Sequence, residues 1–229
     1  MSKFFVGADF GQVQDYSTIA VVERAELRGA WDPAWYAFRK KVELRVRMLE
    51  RQPLGTPYPE VVERIVEVTQ SPALGGNLHL IVDATGVGRP LVDLLKAARP
   101  AGLMKAVSVT TGERQTESGG VYSVPKRDLI VGLQVQLQAG TVRMAESLPN
   151  VRALVEERMG MEVRVSPSGR EQFAAWRRGR HDDLVFAVAL ACWGAAQNRY
   201  QPETHWVNRR EAEAAEEFRG VVGRLREMR

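Results

Sequence analysis

The chain has 229 residues, 45% of them apolar and 26% charged, with a formal net charge of +4 at pH 7. That balance belongs to a folded protein with a real core and excludes a disordered chain. One cysteine, Cys192, excludes an internal disulfide or a Cys-rich zinc site, and its apolar neighbours read as a core. No charged start followed by an apolar stretch marks a secretion signal. The longest apolar run, Leu184 to Ala196, is too short to span a bilayer and reads as a buried helix. The expected setting is the cytosol, with no membrane partner.

Residues 3–9, KFFVGAD, predict a first strand, and Phe10-Gly11-Gln12 turns the chain. Tyr16 to Arg24 is rich in β-branched residues and predicts a second strand, antiparallel to the first. Trp35 to Leu44 alternates in part and predicts a third, outer strand. Pro53, Gly55, Pro57 and Pro59 mark a loop. Val61, Val62, Ile65 and Val66 give Glu60 to Thr69 a helical stripe. Leu78 to Asp83 is a short continuous apolar run, as expected of a strand buried on both faces. A helix over 91–98 and a strand over 104–109 follow. The polar segment Thr110 to Ser123 predicts a mobile loop or exposed hairpin. Pro125 suits the start of a helix running to about Ala139. A short strand at Val142 and Met144, a helix over 148–159 and a strand over 161–165 complete the pattern. Residues 1–200 are expected to form the domain, and 201–229 a charged helical tail. Three meandering strands followed by strand-helix units imply a mixed α/β sheet flanked by helices.

Four aspartates carry the chemistry. Asp9 and Asp83 each end an apolar strand, and Asp182 and Asp183 open the apolar helix. Strand four is expected beside strand one, which would bring Asp9 and Asp83 to one edge of the sheet. Converged carboxylates repel unless cations neutralise them, so hard oxygen ligands in this pattern point to a divalent metal site. One member of the Asp182-Asp183 pair is expected to ligate, with Asp183 preferred, and the other to cap the helix or stand behind the ligands. His181 is read as a residue that orients a water or contacts substrate, or as an exposed histidine. Asp15 reads as a turn residue. Arg164, Arg170, Arg177, Arg178 and Arg180 crowd the segment before His181, which suits a polyanionic substrate.

The motifs D-F-G-Q at Asp9 to Gln12, V-D-A-T-G at Val82 to Gly86 and H-D-D-L-V-F-A at His181 to Ala187 resemble those of the nuclease domain of the phage large terminase subunit, an RNase H-like domain. The likeness covers about residues 3–198. It implies an endonuclease that cuts concatemeric double-stranded viral DNA during genome packaging, in the cytoplasm of the infected bacterium. It also implies two Mg²⁺ or Mn²⁺ ions, with Asp9 bridging both, Asp83 on one, and Asp183 or Asp182 on the other. Lys126, Arg177, Arg178 and Arg180 would contact DNA. The implied partners are the terminase ATPase domain, the small terminase subunit and the portal. The chain has no G-x-x-x-x-G-K-[ST] motif, so ATP hydrolysis is not expected of it. Two alternatives share parts of the pattern: a Holliday-junction resolvase, and a fragment of an actin- or Hsp70-like ATPase. The latter fold closes two domains around its nucleotide and has no role for Asp182-Asp183.

Overall fold

The computed structural model describes residues 3–11, 15–34, 36–85, 88–165, 171–175 and 181–197. The charged tail and Arg177, Arg178 and Arg180 lie outside them. Strand β1 (Lys3–Asp9) pairs antiparallel with β2 (Thr18–Asp32), which pairs antiparallel with β3 (Ala37–Arg51). After helix α1 (Tyr58–Thr69), β4 (Leu78–Asp83) returns parallel to β1. Helix α2 (Gly88–Ala98) and β5 (Leu103–Thr110) extend the parallel side. Strands β6 (Thr116–Ser118) and β7 (Val121–Pro125) form a hairpin, and α3 (Lys126–Gln138), β8 (Val142–Arg143) and α4 (Val151–Met159) follow. A separate hairpin, β9 (Met161–Val165) and β10 (Glu171–Ala175), precedes α5 (Asp183–Gln197). The main sheet has eight strands in the order β6-β7-β5-β4-β1-β2-β3-β8. This is the mixed sheet expected from the strand pattern, with antiparallel strands on one side and parallel strand-helix units on the other.

The sheet is covered on both faces, and the period-2 alternation of β1 shows how. Val6 and Ala8 join Val61, Ile65, Leu91 and Leu95 under α1 and α2. Phe5 faces the other way, with Ile81 of β4, into the core built around α5. That helix is buried at every residue from Asp183 to Ala195, as expected of a segment apolar all round. Its axis lies close on β1. A Cβ at Gly7 would collide with the Ala187 carbonyl and come within 2.9 Å of the Ala191 nitrogen. On the helix side, a Cβ at Gly194 would sit 2.6 Å from Ile81 Cδ1.

Several element boundaries differ from the sequence expectation. Strands β2 and β3 run on to Asp32 and from Ala37 to Arg51, so the expected third strand is both shifted and lengthened. The extension is a ribbon that neither β1 nor β8 accompanies. Its charged, glycine-bearing sequence hides a strand that cross-strand pairing sustains. Trp31 faces Phe38 in register, with rings 4.9 Å apart, and Arg28 lies over Phe38. The segment 110–123 resolves into the hairpin alternative, and β7 adds to the sheet beside β5. Helix α4 begins at Val151, after Asn150 in the left-handed conformation at φ 63°. Among the described residues no helix is long and apolar enough to cross a membrane.

The tight seat of α5 on β1 yields a stability prediction. Gly7→Ala should lower the unfolding free energy by about 3 kcal/mol through overpacking against helix backbone. Urea denaturation reads this directly, and an unchanged midpoint would show that the helix has room to retreat.

Candidate metal centre

Strand alternation decides where the first two carboxylates point. Asp9 shares the parity of Phe5 and Gly7, and Asp83 shares that of Ile81, so both belong to the face that α5 covers. The parallel register of Ala8 with Val82 sets Asp9 beside Asp83 at one edge of the sheet. The N-terminus of α5 reaches the same edge. Asp9, Asp15, Asp83, Asp182, Asp183 and Lys126 thus line one open cavity of about 260 Å³, with Phe10, Gly11 and Phe186. The structure therefore brings together all four aspartates singled out in the sequence, and Lys126 with them.

Each carboxylate has its own support. Asp83 Oδ1 accepts the Thr85 amide at 2.7 Å in a tight turn. Asp183 is almost fully buried, and its Oδ2 accepts the Tyr16 amide at 3.2 Å. The Asp183 carbonyl accepts the Thr18 hydroxyl at 2.9 Å. Asp182 Oδ2 receives the Lys126 ammonium at 3.0 Å, and the same ammonium lies 4.5 Å from the centre of the Phe186 ring. Lys126 starts α3 immediately after β7, so the hairpin and helix junction aims it into the acidic cavity.

Of the two alternatives for the second acid of the pair, capping of the helix does not hold. Neither carboxylate caps α5 among the described residues: one takes the Tyr16 amide and the other takes Lys126. Capping comes instead from Glu157 of α4, whose Oε2 accepts the Val185 amide at 3.1 Å. Asp15 lies in the bend of the β1–β2 connection, as expected of a turn residue, and also lines the cavity. Its carboxylate lies 3.8 Å from His181 Nδ1, which is 3.5 Å from Asp183 Oδ2. One ligand atom from each of these residues falls within 4.8 Å of the others, a spacing one cation can span. His181 is half-buried, its ring packs 4.6 Å from that of Tyr16, and its Nδ1 makes no hydrogen bond among the described residues. Asp15 was legible in principle. A chain that leaves the sheet edge at Asp9 and re-enters it at Thr18 must pass that edge again. Glu157 carried no such signal, because its role exists only through the packing of α4 on α5.

Electrostatics follow from this crowding. Burial holds the Asp9 carboxyl well above the usual carboxylate range, and the charges of Asp83, Asp183 and Asp182 add to it against Lys126. Burial also raises Asp83, with its Thr85 hydrogen bonds and Lys126 opposing. Asp183 is pushed up to about 6 by burial, against the Tyr16 amide and His181, with Asp15 and Asp182 adding. Glu157 is raised to about 7, again first by burial, with the Val185 amide and Arg51 opposing. Raised acids in one cavity lined by hard oxygen donors fit divalent cations, which relieve the repulsion and leave the geometry intact.

The comparisons accord with this architecture. No protein-family profile matches the chain. In sequence it is 26% identical over 188 residues to the large terminase subunit of Thermus phage G20c, and equally to that of Thermus virus P23-45. The aligned region is 82% of this chain and 31% of each relative, so the chain spans about a third of their length. In structure it superposes on the magnesium-bound large terminase nuclease of phage G20c with a TM-score of 0.58 and 24% identity. That match covers 84% of this chain and 81% of the other. The nuclease domain of the Thermus phage P74-26 large terminase gives 0.56 and 22%, over 83% and 78%. The chain has the fold of a large-terminase nuclease domain. In that terminase-type fold the four aspartates stand where the sheet edge and the last helix meet.

The raised acids carry a pH signature. Asp183 holds its proton more tightly folded, at about 6, than at its ordinary value of 3.8. Between those values the native state binds more protons than the unfolded one, so metal-free stability should fall as pH rises from about 4 to about 6. Asp183 alone contributes on the order of 2–3 kcal/mol. Thermal melts in EDTA from pH 4 to 7.5 read the trend, and stability that climbs across that window would contradict the burial of these carboxylates.

Proposed function

We propose that the chain is a divalent-metal-dependent endonuclease that hydrolyses phosphodiester bonds of double-stranded DNA, acting in the cleavage of concatemeric phage genomes during packaging. The observation that carries this reading is the convergence of Asp9, Asp83, Asp182 and Asp183 around one open cavity. Two Mg²⁺ or Mn²⁺ ions held there would supply an activated water and neutralise the leaving 3′ oxygen. Asp9, on which the charges of Asp83, Asp183 and Asp182 all act, would hold the ions together with those three carboxylates. Asp15 and His181 extend the site beside Asp183. The reaction adds water across a P–O bond and needs no covalent intermediate.

Lys126 has a role of its own in this scheme. Its ammonium now neutralises Asp182. With that carboxylate engaged in ligation, Lys126 would be free to face a phosphate oxygen at the same cavity. Arg177, Arg178 and Arg180, whose structure lies outside the described residues, are proposed to hold the flanking phosphates. The partners that go with this reading are those of a packaging motor, an ATPase domain, a small terminase subunit and the portal, in the cytoplasm of an infected bacterium. The chain itself has no phosphate-loop motif, and ATP hydrolysis is not assigned to it.

Supercoiled plasmid incubated with the protein in Mn²⁺, Mg²⁺ or EDTA tests the reading. Nicking and linearisation are expected with metal only, and Asp9→Asn should abolish them while the circular dichroism spectrum stays unchanged. Cleavage that survives EDTA, or Asp9→Asn cutting at the wild-type rate, would sink the mechanism. Millimolar Mn²⁺ should also raise the melting temperature, because binding to the folded state alone stabilises it. A melting curve indifferent to metal would argue against a preformed site. Cutting should show little sequence preference, since the proposed contacts are to phosphates. A single discrete cut on plasmid DNA would overturn that.

A further inference from the structure

A helix start leaves amide groups without partners, and an aspartate at the first position normally takes them. Helix α5 opens with two aspartates, yet neither serves it. Asp183 turns its carboxylate to the Tyr16 amide, and Asp182 turns to Lys126. The vacant capping duty falls to Glu157, a buried acid on a different helix. Its Oε2 accepts the Val185 amide at 3.1 Å, and the Leu184 amide also faces it. Its other oxygen is held by the Arg51 guanidinium in an ion pair.

Arg51 closes the arrangement from the sheet side. It stands opposite Thr18 in the β2–β3 register. Its guanidinium lies 4.5 Å from the centre of the Tyr16 ring, and Tyr16 is the residue whose amide holds Asp183. Thr18 grips the Asp183 carbonyl. The start of α5 is therefore held on both sides by a path that runs Tyr16, Arg51, Glu157, Val185. A buried ion pair is a poor device for stability alone, because desolvation offsets most of its attraction.

We propose that Glu157, clamped by Arg51, is a positioning residue for the metal centre: by capping α5 from outside, it leaves Asp182 and Asp183 free to face the cavity. This rests on the metal-nuclease reading. Without Glu157, the unpartnered amides of the first turn would recapture one aspartate and turn it away from the cations.

The test is Mn²⁺ binding to the 229-residue chain, measured by electron paramagnetic resonance at a temperature where each variant is folded by circular dichroism. Glu157→Leu should weaken Mn²⁺ binding by at least about tenfold, the usual cost of losing an outer-shell partner. The Mn²⁺ concentration for half-maximal plasmid cleavage should rise with it, and saturating Mn²⁺ should restore much of the rate. Glu157→Gln keeps an acceptor for the Val185 amide and should stay near wild type. Arg51→Met should fall between them, and it serves as the deciding variant if Glu157→Leu does not fold. A purely structural role would lower the melting temperature and leave Mn²⁺ affinity unchanged. Wild-type affinity in folded Glu157→Leu, or in Arg51→Met where the first is unfolded, overturns the proposal alone. Wild-type protein that binds no Mn²⁺ removes the metal centre itself, and the positioning role with it.

Discussion

Helix α5 lies so close to strand β1 that residue 7 has room only for hydrogen. That contact sets the height of the helix above the sheet. It therefore sets how far Asp182 and Asp183 stand from Asp9 and Asp83. A larger residue at position 7 would lift the helix and open the carboxylate cluster, even though it touches none of them. The apolar length of α5 supplies the force that holds the contact: the helix is buried at every residue through Ala195. Core packing and site geometry are one constraint here.

The cluster works against the fold that holds it. Burial first, and the charges of neighbouring carboxylates after it, raise the affinity of Asp9 and Asp183 for protons. Lys126 answers part of that charge through Asp182, and His181 lies near Asp183. The remainder is an open invitation to cations. A repulsive site of this kind survives because its members are anchored: Asp83 by the Thr85 amide, and Asp183 by the Tyr16 amide on its carboxylate and the Thr18 hydroxyl on its carbonyl. Asp83, Asp182 and Asp183 are thus held in place by the protein's own groups, which is what preorganisation requires.

The ribbon formed by the outer halves of β2 and β3 follows different physics. Its ion pairs, such as Arg39 with Asp32 and Lys40 with Glu26, are solvent-facing and each contributes at most about 1 kcal/mol. Backbone pairing and the Trp31–Phe38 contact give it form. Those terms depend on a partner strand, which is why a local reading of ERAELRGAWD ends the strand too early.

Much of the architecture was legible because its signals are local and periodic. The apolar runs ending in Asp9 and Asp83, and the unbroken apolar helix after Asp183, carry their structure in their own spacing. An aspartate at the end of each buried strand was enough to place both on one sheet edge once the strands were taken as neighbours. Other features depended on residues far apart in the chain. Asp15 joined the site because the β1–β2 connection returns to the same edge. Lys126 found Asp182 across 56 positions. Glu157 took the cap of α5 from a separate helix, where a local reading assigns that task to an aspartate. The sequence by itself determined where the inner strands and the helices lie and where the acids fall on them, since periodicity and chain-end chemistry are local. Only the tertiary structure decided which acid caps, which faces the cavity and which cation answers it, because those roles are set by packing between elements that no spacing in the chain records.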